Sequence, residues 1–253
     1  MTTSVSVLYG SALTAGSFDA LLRGDLLALC VHDYFDVDAD AVARATRLLA
    51  PIEGHDRQPV SYGAALTELL DGPRERYFGR AATQNSALAE IFGPDASPFV
   101  QLQRDLERCW PSGVTAAYID GGVMSSGTVR YYRPGDLMNP HIDRKGHLAG
   151  DVCSACRLSV NIYLAVPADG GELELWDLRP NEEQAEHWHL ADYSLDRNQI
   201  GLPDLVLRPA PGDLIMFNPE QIHAVAAVRT GSRLTASCFL GIRASNQPMS
   251  MFA

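Results

Sequence analysis

Three residues of the types that bind a transition metal occur in two short motifs. The stretch 132–143 ends in His141-Ile-Asp143, and His223 follows the strand-like run 213–219. Alternate residues of a strand point to one face, so His141 and Asp143 can share a face, ~7 Å apart along the backbone. Two imidazoles and one carboxylate on one face form the facial triad that binds non-haem Fe(II). The sequence therefore predicts an iron site made by His141, Asp143 and His223.

A His-x-Asp pair alone is equally typical of an ordinary strand end. Here it stands among four further motifs in a fixed order: Tyr132-x-x-Gly135, Gly170-Gly-Glu-Leu-Glu-Leu175, Pro211-Gly-Asp-Leu-Ile-Met-Phe217, and His223 followed ten positions later by Arg233. Over residues 114–243 these motifs resemble the Fe(II)/2-oxoglutarate-dependent dioxygenases of the prolyl-hydroxylase-like type. More loosely, the chain is similar to free-standing amino-acid and natural-product hydroxylases and halogenases.

The resemblance implies a site for the co-substrate 2-oxoglutarate. Arg233 offers a bidentate fork for its distal carboxylate, and Thr235, one strand period further on, is expected to donate a hydroxyl to the same group. Tyr163 lies where related prolyl hydroxylases use a tyrosine for this carboxylate, although a core aromatic is an equal alternative. Tyr132 is expected to line the iron pocket. Asn161 shares a strand face with Tyr163, and it either touches a ligand or holds a neighbouring strand.

The implied cofactors are Fe(II), 2-oxoglutarate and O2, and the implied reaction is hydroxylation of an unactivated C–H bond, with succinate and CO2 as co-products. Iron and co-substrate carry the hard chemistry, and the protein orients them. Asp143 favours hydroxylation, because relatives that halogenate carbon lack this carboxylate. Desaturation and cyclisation remain alternatives, since they depend on how the substrate faces the iron. The expected substrate is a small molecule, namely a free amino acid or a natural-product intermediate.

Residues that contact the substrate are expected near the pocket mouth. Trp176 ends a predicted strand, and Arg130 and Asp136 flank the metal motif. A surface or structural role is the alternative for each of them. A zwitterionic amino acid needs an acidic and a basic partner, and Arg130 with Asp136 or Asp120 are candidates for this pair.

The composition argues against several classes of protein. Lys and Arg number 20 against 31 Asp and Glu, for a net charge of −11, whereas a nucleic-acid binder needs basic surface. No apolar run approaches the ~18 residues of a membrane span, and no signal peptide is recognisable. The five cysteines do not form a disulfide framework, so a cytoplasmic location is expected.

Cys153-x-x-Cys156 with His147 lacks the fourth ligand of a closed zinc site, so the role of this cysteine pair stays open. The oligomeric state also stays open.

The apolar pattern changes from helical to strand-like near Pro111. Residues 17–110 are predicted to be mostly helical, with apolar positions at helical spacing along 18–30, 42–49 and 99–110, and further helices at 62–70 and 75–92. Short segments rich in β-branched and aromatic residues then predict strands at 114–119, 128–132, 158–166, 172–176, 205–207, 214–217, 224–228 and 234–242. Strands at this spacing favour a mainly β fold with α, a double-stranded β-helix (jelly roll) buttressed by N-terminal helices. The family resemblance implies the same fold.

No flexible linker separates the two halves, so a single domain over 1–253 is predicted. It comprises a helical part (1–112), a β-helix core (113–243) and a tail (244–253). The long segment 177–204 inside the core is predicted to form a lid over the pocket. Two alternatives remain. A protein hydroxylase of the prolyl type needs an open groove, and a non-catalytic ligand-binding β-helix protein usually lacks a metal ligand or the arginine.

Overall fold

The computed structural model describes residues 7–10, 12–52, 59–93, 96–119, 121–143, 156–191 and 193–253. The helices in these ranges are α1 (Ala15–Arg23), α2 (Ala39–Leu49), α3 (Leu66–Asp71), α4 (Arg74–Phe92), α5 (Pro98–Cys109), α6 (Glu182–His187) and α7 (Arg197–Ile200). The strands are β1 (Val7–Gly10), β2 (Ala28–Val31), β3 (Val60–Tyr62), β4 (Val114–Ala116), β5 (Tyr118–Ile119), β6 (Gly122–Val123), β7 (Thr128–Tyr132), β8 (Met138–His141), β9 (Cys156–Ala165), β10 (Asp169–Gly170), β11 (Leu173–Leu175), β12 (His189–Ala191), β13 (Ser194–Leu195), β14 (Leu205–Leu207), β15 (Leu214–Phe217), β16 (His223–Val225), β17 (Val228–Thr230), β18 (Arg233–Ile242) and β19 (Met249–Phe252).

The helices of the first half follow local sequence signals. The helices predicted at 42–49, 75–92 and 99–110 are confirmed as α2, α4 and α5. Helix α5 begins after Ser97, whose hydroxyl accepts a hydrogen bond from the backbone N–H of Phe99, and proline occupies its first turn. Helix α2 is capped in the same way by the carboxylate of Asp38. None of the helices in the described ranges has the length and apolar character of a membrane span.

The prediction of a helical first part is wrong at three places, where β1, β2 and β3 occur. The apolar residues 26–30 were expected to continue a helix, but Gly24 adopts a left-handed conformation (φ 86°) and ends α1. The chain then forms β2, which is buried throughout and pairs with β1 on one side and β15 on the other. A short apolar run suits a buried strand as well as a buried helix, so periodicity alone does not separate them.

The fold is built on two sheets. The main sheet has nine strands in the order β1-β2-β15-β9-β18-β19-β4, with β7 also paired to β18 and β3 paired to β7. Its central strands β9 and β18 are ten residues long and almost wholly buried. A smaller sheet has the order β14-β11-β16-β8. Side chains from both sheets line one cavity, which places the functional site between them.

The C-terminal segment 244–253, predicted as a tail, contains a strand of the main sheet, β19. Strand β19 pairs antiparallel with β18 and parallel with β4. Ala253 is buried, and its carbonyl oxygen accepts a hydrogen bond from the Tyr77 hydroxyl at 2.9 Å. The segment 177–204 also contains regular structure, namely α6, β12, β13 and α7. Its function as a lid stays a prediction.

The Gly170→Ala substitution is expected to destabilise the fold through a steric clash. Gly170 has a φ of 83°, and a Cβ there would overlap the backbone carbonyl oxygen of Ala227 on the neighbouring segment. Gly113 has the same φ of 83° but open space around it, so Gly113→Ala isolates the conformational cost, ~1–2 kcal/mol. Chemical denaturation should show a larger loss in the free energy of unfolding for Gly170→Ala. Equal losses would show that the clash is relieved at no cost.

Candidate metal centre

Three potential metal ligands converge at the edge of the smaller sheet. His141 ends β8 and His223 begins β16, and the two residues are direct partners in the antiparallel pairing of these strands. Their ring centroids are 4.1 Å apart. Asp143 follows two residues after His141, and the ligand atoms of the three side chains all lie within 4.8 Å of one another. Strand pairing therefore joins a motif at 141–143 to a histidine 80 residues further along the chain.

Backbone carbonyl groups orient both imidazoles. His141 Nδ1 donates to the carbonyl oxygen of Asn139 at 2.7 Å, and His223 Nδ1 donates to that of Gln221 at 2.9 Å. In a neutral imidazole this bond places the proton on Nδ1 and leaves Nε2 free to bind a metal. Nε2 of His141 lies 3.8 Å from the Asp143 carboxylate, and Nε2 of His223 lies 3.5 Å from it. A metal-binding histidine typically has its second nitrogen bonded in this way.

Asp143 lies beyond the end of β8 and is held by two other contacts. Its backbone N–H donates to the carbonyl oxygen of Pro219 at 2.9 Å. Its own carbonyl oxygen accepts from Arg157 Nη2 at 2.7 Å. Arg157 is buried, and its guanidinium lies over the ring of Phe239. Arg157 therefore positions the backbone of Asp143, the candidate carboxylate ligand, a role that its place in the sequence did not reveal.

The electrostatics of the centre favours the protonation states that bind a divalent cation. Burial, followed by the neighbouring His223, lowers the pKa of His141 to about 3. Burial alone would raise the pKa of Asp143, but contacts with both histidines and the nearby Arg130 outweigh it and hold that pKa below its ordinary value. The imidazole of His141 is thus neutral and the carboxylate of Asp143 ionised near pH 7.

Arg233, at the start of β18, lies in the same cavity and is 2% exposed. Its Nη1 donates to the carbonyl oxygen of Gly171 at 2.9 Å, and its Nη2 donates to the Tyr163 hydroxyl at 3.4 Å. The guanidinium lies between two aromatic rings, with Cζ 5.0 Å from the Tyr132 centroid and 4.9 Å from that of Tyr163. Its Nε has no hydrogen-bond partner, and no carboxylate within the described ranges pairs with it. A buried cation without an anion is costly, so the pocket suits a ligand carboxylate.

Three of the four remaining residues predicted for the co-substrate line the same cavity as Arg233. Thr235 and Asn161 line the cavity, and Tyr132 lines it beside Arg233, its partner in strand pairing. Tyr163 does not line the cavity; it is a buried aromatic that reaches Arg233 from behind. Burial raises the pKa of Tyr163 to about 12, so its hydroxyl is neutral and can accept the bond from Arg233.

The cavity has a volume of about 950 Å³ and extends well beyond the metal centre. This size is at the upper end of the range for small-molecule sites, ~300–1,000 Å³. The segment 177–204 contributes part of the wall. The ring of Tyr193 in this segment lies edge-on to His141, with centroids 5.2 Å apart. The Tyr193 hydroxyl donates to Met138 Sδ at 3.0 Å, which ties the segment to β8.

Only one of the three predicted substrate residues, Arg130, lines the cavity. Trp176 is buried on the opposite side of the smaller sheet. Leu175 pairs with His223, so the next residue points away, and the Trp176 indole N–H donates to the Gly201 carbonyl. Asp136 is also outside the cavity. Its carboxylate accepts from the backbone N–H of Arg133 at 2.7 Å and stabilises a turn. Neither Trp176 nor Asp136 lines the cavity, so the structure gives no support to a substrate contact by either residue.

Some predicted residues lie outside the described ranges, and some cavity residues were missed. Asp120, His147 and Cys153 lie outside these ranges, whereas Cys156 is an exposed free thiol at the start of β9. The missed lining residues include Thr128 and Ser237. Both could have been found from strand alternation, because they lie two residues from Arg130 and from Thr235.

Comparisons with known proteins agree with this geometry. The model of the family described as the carrier-protein-independent halogenase WelO5 matches residues 16–252. A curated relative, the L-gamma-glutamyl-L-propargylglycine hydroxylase of Streptantibioticus cattleyicolor, is 27% identical over 94% of this chain and 92% of its own length. Among solved structures, an N-substituted L-amino acid dioxygenase from Burkholderia ambifaria AMMD is 19% identical, with a TM-score of 0.63 over 94% of this chain and 91% of that one. A complex of that dioxygenase with alpha-KG gives a TM-score of 0.59 at 18% identity, over the same shares of the two chains. At these identities the structures establish the fold, and they confirm the predicted double-stranded β-helix.

Proposed function

Because the chain belongs to the family of the carrier-protein-independent halogenase WelO5, we propose that it is an Fe(II)- and 2-oxoglutarate-dependent dioxygenase. It hydroxylates an unactivated C–H bond in a small molecule related to an amino acid, with succinate and CO2 as co-products. The observation that carries this proposal is the presence of two complementary sites in one cavity. One is the triad of His141, Asp143 and His223, and the other is the buried guanidinium of Arg233.

The residues present fit both groups. His141, Asp143 and His223 would hold Fe(II) on one face and leave the other positions free for ligands. Arg233 would bind the distal carboxylate of 2-oxoglutarate, with Thr235 as a neighbouring hydroxyl. When bound, the metal and co-substrate supply the oxidising power with O2.

The chain itself orients the ligands and limits the access of water. The carbonyl groups behind both imidazoles fix their tautomers, and Arg157 holds the backbone next to the carboxylate ligand. Tyr193 covers the outer edge of His141. These contacts preorganise the centre, so little rearrangement is needed when the metal binds.

The family model is named for a halogenase, yet Asp143 supports hydroxylation. When the metal is bound, the Asp143 carboxylate would take the position that a halide needs, and the resemblance implies that halogenating relatives lack this carboxylate. We therefore expect the wild-type enzyme, assayed in chloride or bromide buffer, to give a product heavier by one oxygen atom and free of halogen. Mass spectrometry distinguishes the two products by isotope pattern. A halogenated product from the wild-type enzyme would contradict this assignment.

The proposed substrate class draws on the curated relative, whose name identifies it as a hydroxylase of a γ-glutamyl amino acid. Hydroxylation of protein residues is disfavoured, because the segment 177–204 forms a wall of the cavity where a peptide would need an open groove. A non-catalytic role is disfavoured because all three ligands and Arg233 are present. A cytoplasmic location is part of the proposal. It is supported by the cysteines, which are scattered along the chain and odd in number, as a disulfide framework would not be.

The test is anaerobic titration with Fe(II) and 2-oxoglutarate, monitored by the weak visible charge-transfer band of the chelate. The loaded protein is then exposed to O2 with a panel of amino acids and their derivatives, and succinate is measured. A band together with substrate-dependent succinate is expected. Folded protein that binds Fe(II) but forms no band would refute the dependence on 2-oxoglutarate.

A further inference from the structure

The floor of the cavity carries a second arginine close to the proposed co-substrate site. Strands β7 and β18 pair with Tyr132 opposite Arg233 and Arg130 opposite Thr235. Alternate residues of each strand face the same side, so these pairs present their side chains to the cavity. Arg130 thus lies two residues before Tyr132 on the same face. Its strand pair with Thr235 is the next pair after Arg233–Tyr132 that faces the cavity.

Arg130 is half-buried and makes no hydrogen bond or ion pair with any residue in the described part of the chain. The other two arginines of the cavity are already engaged. Arg233 is assigned to the distal carboxylate of 2-oxoglutarate, and Arg157 donates to the carbonyl oxygen of Asp143. Arg130 is therefore the cavity cation that remains available to an incoming anion.

The charges that line the cavity favour an anionic substrate. A bound metal dication and a 2-oxoglutarate dianion would cancel each other. Three arginine side chains then face the carboxylates of Asp143 and Glu186, which leaves one positive charge among the side chains of the described lining residues. A single substrate carboxylate balances it.

Besides Asp143, the described lining residues offer no buried side-chain carboxylate to pair with a substrate ammonium group. Asp143 is committed to the metal, and Glu186 is exposed on α6 in the cavity wall. The polar groups of the floor are instead neutral. Ser237 donates to Asn161 Oδ1 at 2.8 Å, and Asn161 Nδ2 donates to Ser159 at 3.3 Å. Neutral hydroxyl and amide groups suit an uncharged amide better than an ammonium ion, whose burial without a carboxylate is costly.

We propose that Arg130 binds the carboxylate of the primary substrate, and that this substrate is an amino acid with an acylated α-nitrogen and not a free amino acid. This inference rests on the proposed function and specifies its substrate class. Of the two acidic partners that the sequence suggests for Arg130, Asp136 lies outside the cavity, and Asp120 lies outside the described ranges.

The test compares free, N-acetyl and γ-glutamyl forms of the proteinogenic amino acids, with N-acetyl amino-acid amides as uncharged controls. Binding to the anaerobic Fe(II)·2-oxoglutarate protein is followed through the chelate band, and succinate formation is measured after O2 is added. The N-acetyl and γ-glutamyl amino acids are expected to bind at least about tenfold more tightly than the matching free amino acids or the amides. The amides lose the charge-assisted contact between the substrate carboxylate and Arg130.

Substitutions of Arg130 test whether this residue causes the preference for the carboxylate over the amide. Arg130→Gln is expected to abolish the preference for acid over amide without changing the titration of the chelate band by 2-oxoglutarate, and Arg130→Lys should restore part of it. Arg23→Gln, at an exposed arginine paired with Asp25, is the matched control and should keep the preference.

Three results would overturn the inference while leaving the proposed function intact. They are a normal chelate band with no binding of any acylated acid, equal binding of acids and amides, or weaker binding of 2-oxoglutarate in Arg130→Gln. The last result would assign Arg130 to the co-substrate. Absence of the band in the wild-type protein would instead overturn the proposed function, and this inference with it.

Discussion

The His223→Ala variant is expected to lose Fe(II) affinity by more than ~100-fold and to show no substrate-dependent succinate formation. Loss of a residue that only supports a metal ligand typically lowers metal affinity or activity ~10–100-fold. Because His223 is proposed as a ligand itself, its loss is expected to cost more. The loss leaves His141 and Asp143 alone in a partly buried site, where two ligands do not complete the triad. The measurement is the iron content after anaerobic loading and desalting, together with the chelate band.

A second histidine variant provides the control for this experiment. His187→Ala removes an exposed imidazole from the last turn of α6, and it should retain both iron and activity. Thermal unfolding of both variants would show that the fold is intact. Iron binding by His223→Ala at the wild-type level would mean that the metal centre is built from other residues.

The Arg233→Gln variant is expected to retain iron but to need far more 2-oxoglutarate. Removal of one partner of a buried, hydrogen-bonded charge pair costs ~2–5 kcal/mol, so the KM for 2-oxoglutarate should rise from tens-fold to thousands-fold. Arg233 is 2% exposed, and its Nε lacks a hydrogen-bond partner. Little water can therefore reach this position and replace the guanidinium beside the bound carboxylate. Steady-state kinetics at varied 2-oxoglutarate and direct Fe(II) titration separate the two effects.

Arg229→Gln is the matched control for Arg233→Gln. Arg229 is close in sequence, but its side chain is 53% exposed and pairs with the exposed Asp169 outside the cavity. Its substitution should leave the KM for 2-oxoglutarate unchanged. If Arg233→Gln also left it unchanged, the distal carboxylate would have to bind elsewhere in the cavity.

Much of the metal centre could be predicted because its information is local. His141 and Asp143 are separated by one residue, and the turn and strand before His223 carry their own signature in Pro211-Gly-Asp. The interval between His223 and Arg233 completed the resemblance, and the family match over 16–252 confirms it. Helices α2, α4 and α5 were predictable for the same reason, since caps, prolines and apolar spacing act within a few residues.

The residues around the centre could not be assigned from sequence, because their direction depends on pairing between distant strands. Arg130 and Asp136 flank the same motif, yet one lies on a paired strand facing the cavity and the other closes a turn. Trp176 was placed at the pocket mouth, but the pairing of Leu175 with His223 turns it to the opposite face.

The sequence alone predicted which side chains offer ligands for a metal and which one offers a cation for a dicarboxylate. The tertiary structure alone decided which other side chains surround them. Arg157 reaches the backbone of Asp143, and β19 brings Ala253 to the cavity wall. Residues 28–31 form a strand because β1 and β15 pair with them on both sides. Each of these outcomes arises from hydrogen bonds and packing between segments far apart in the chain, and a local pattern carries no record of such partners.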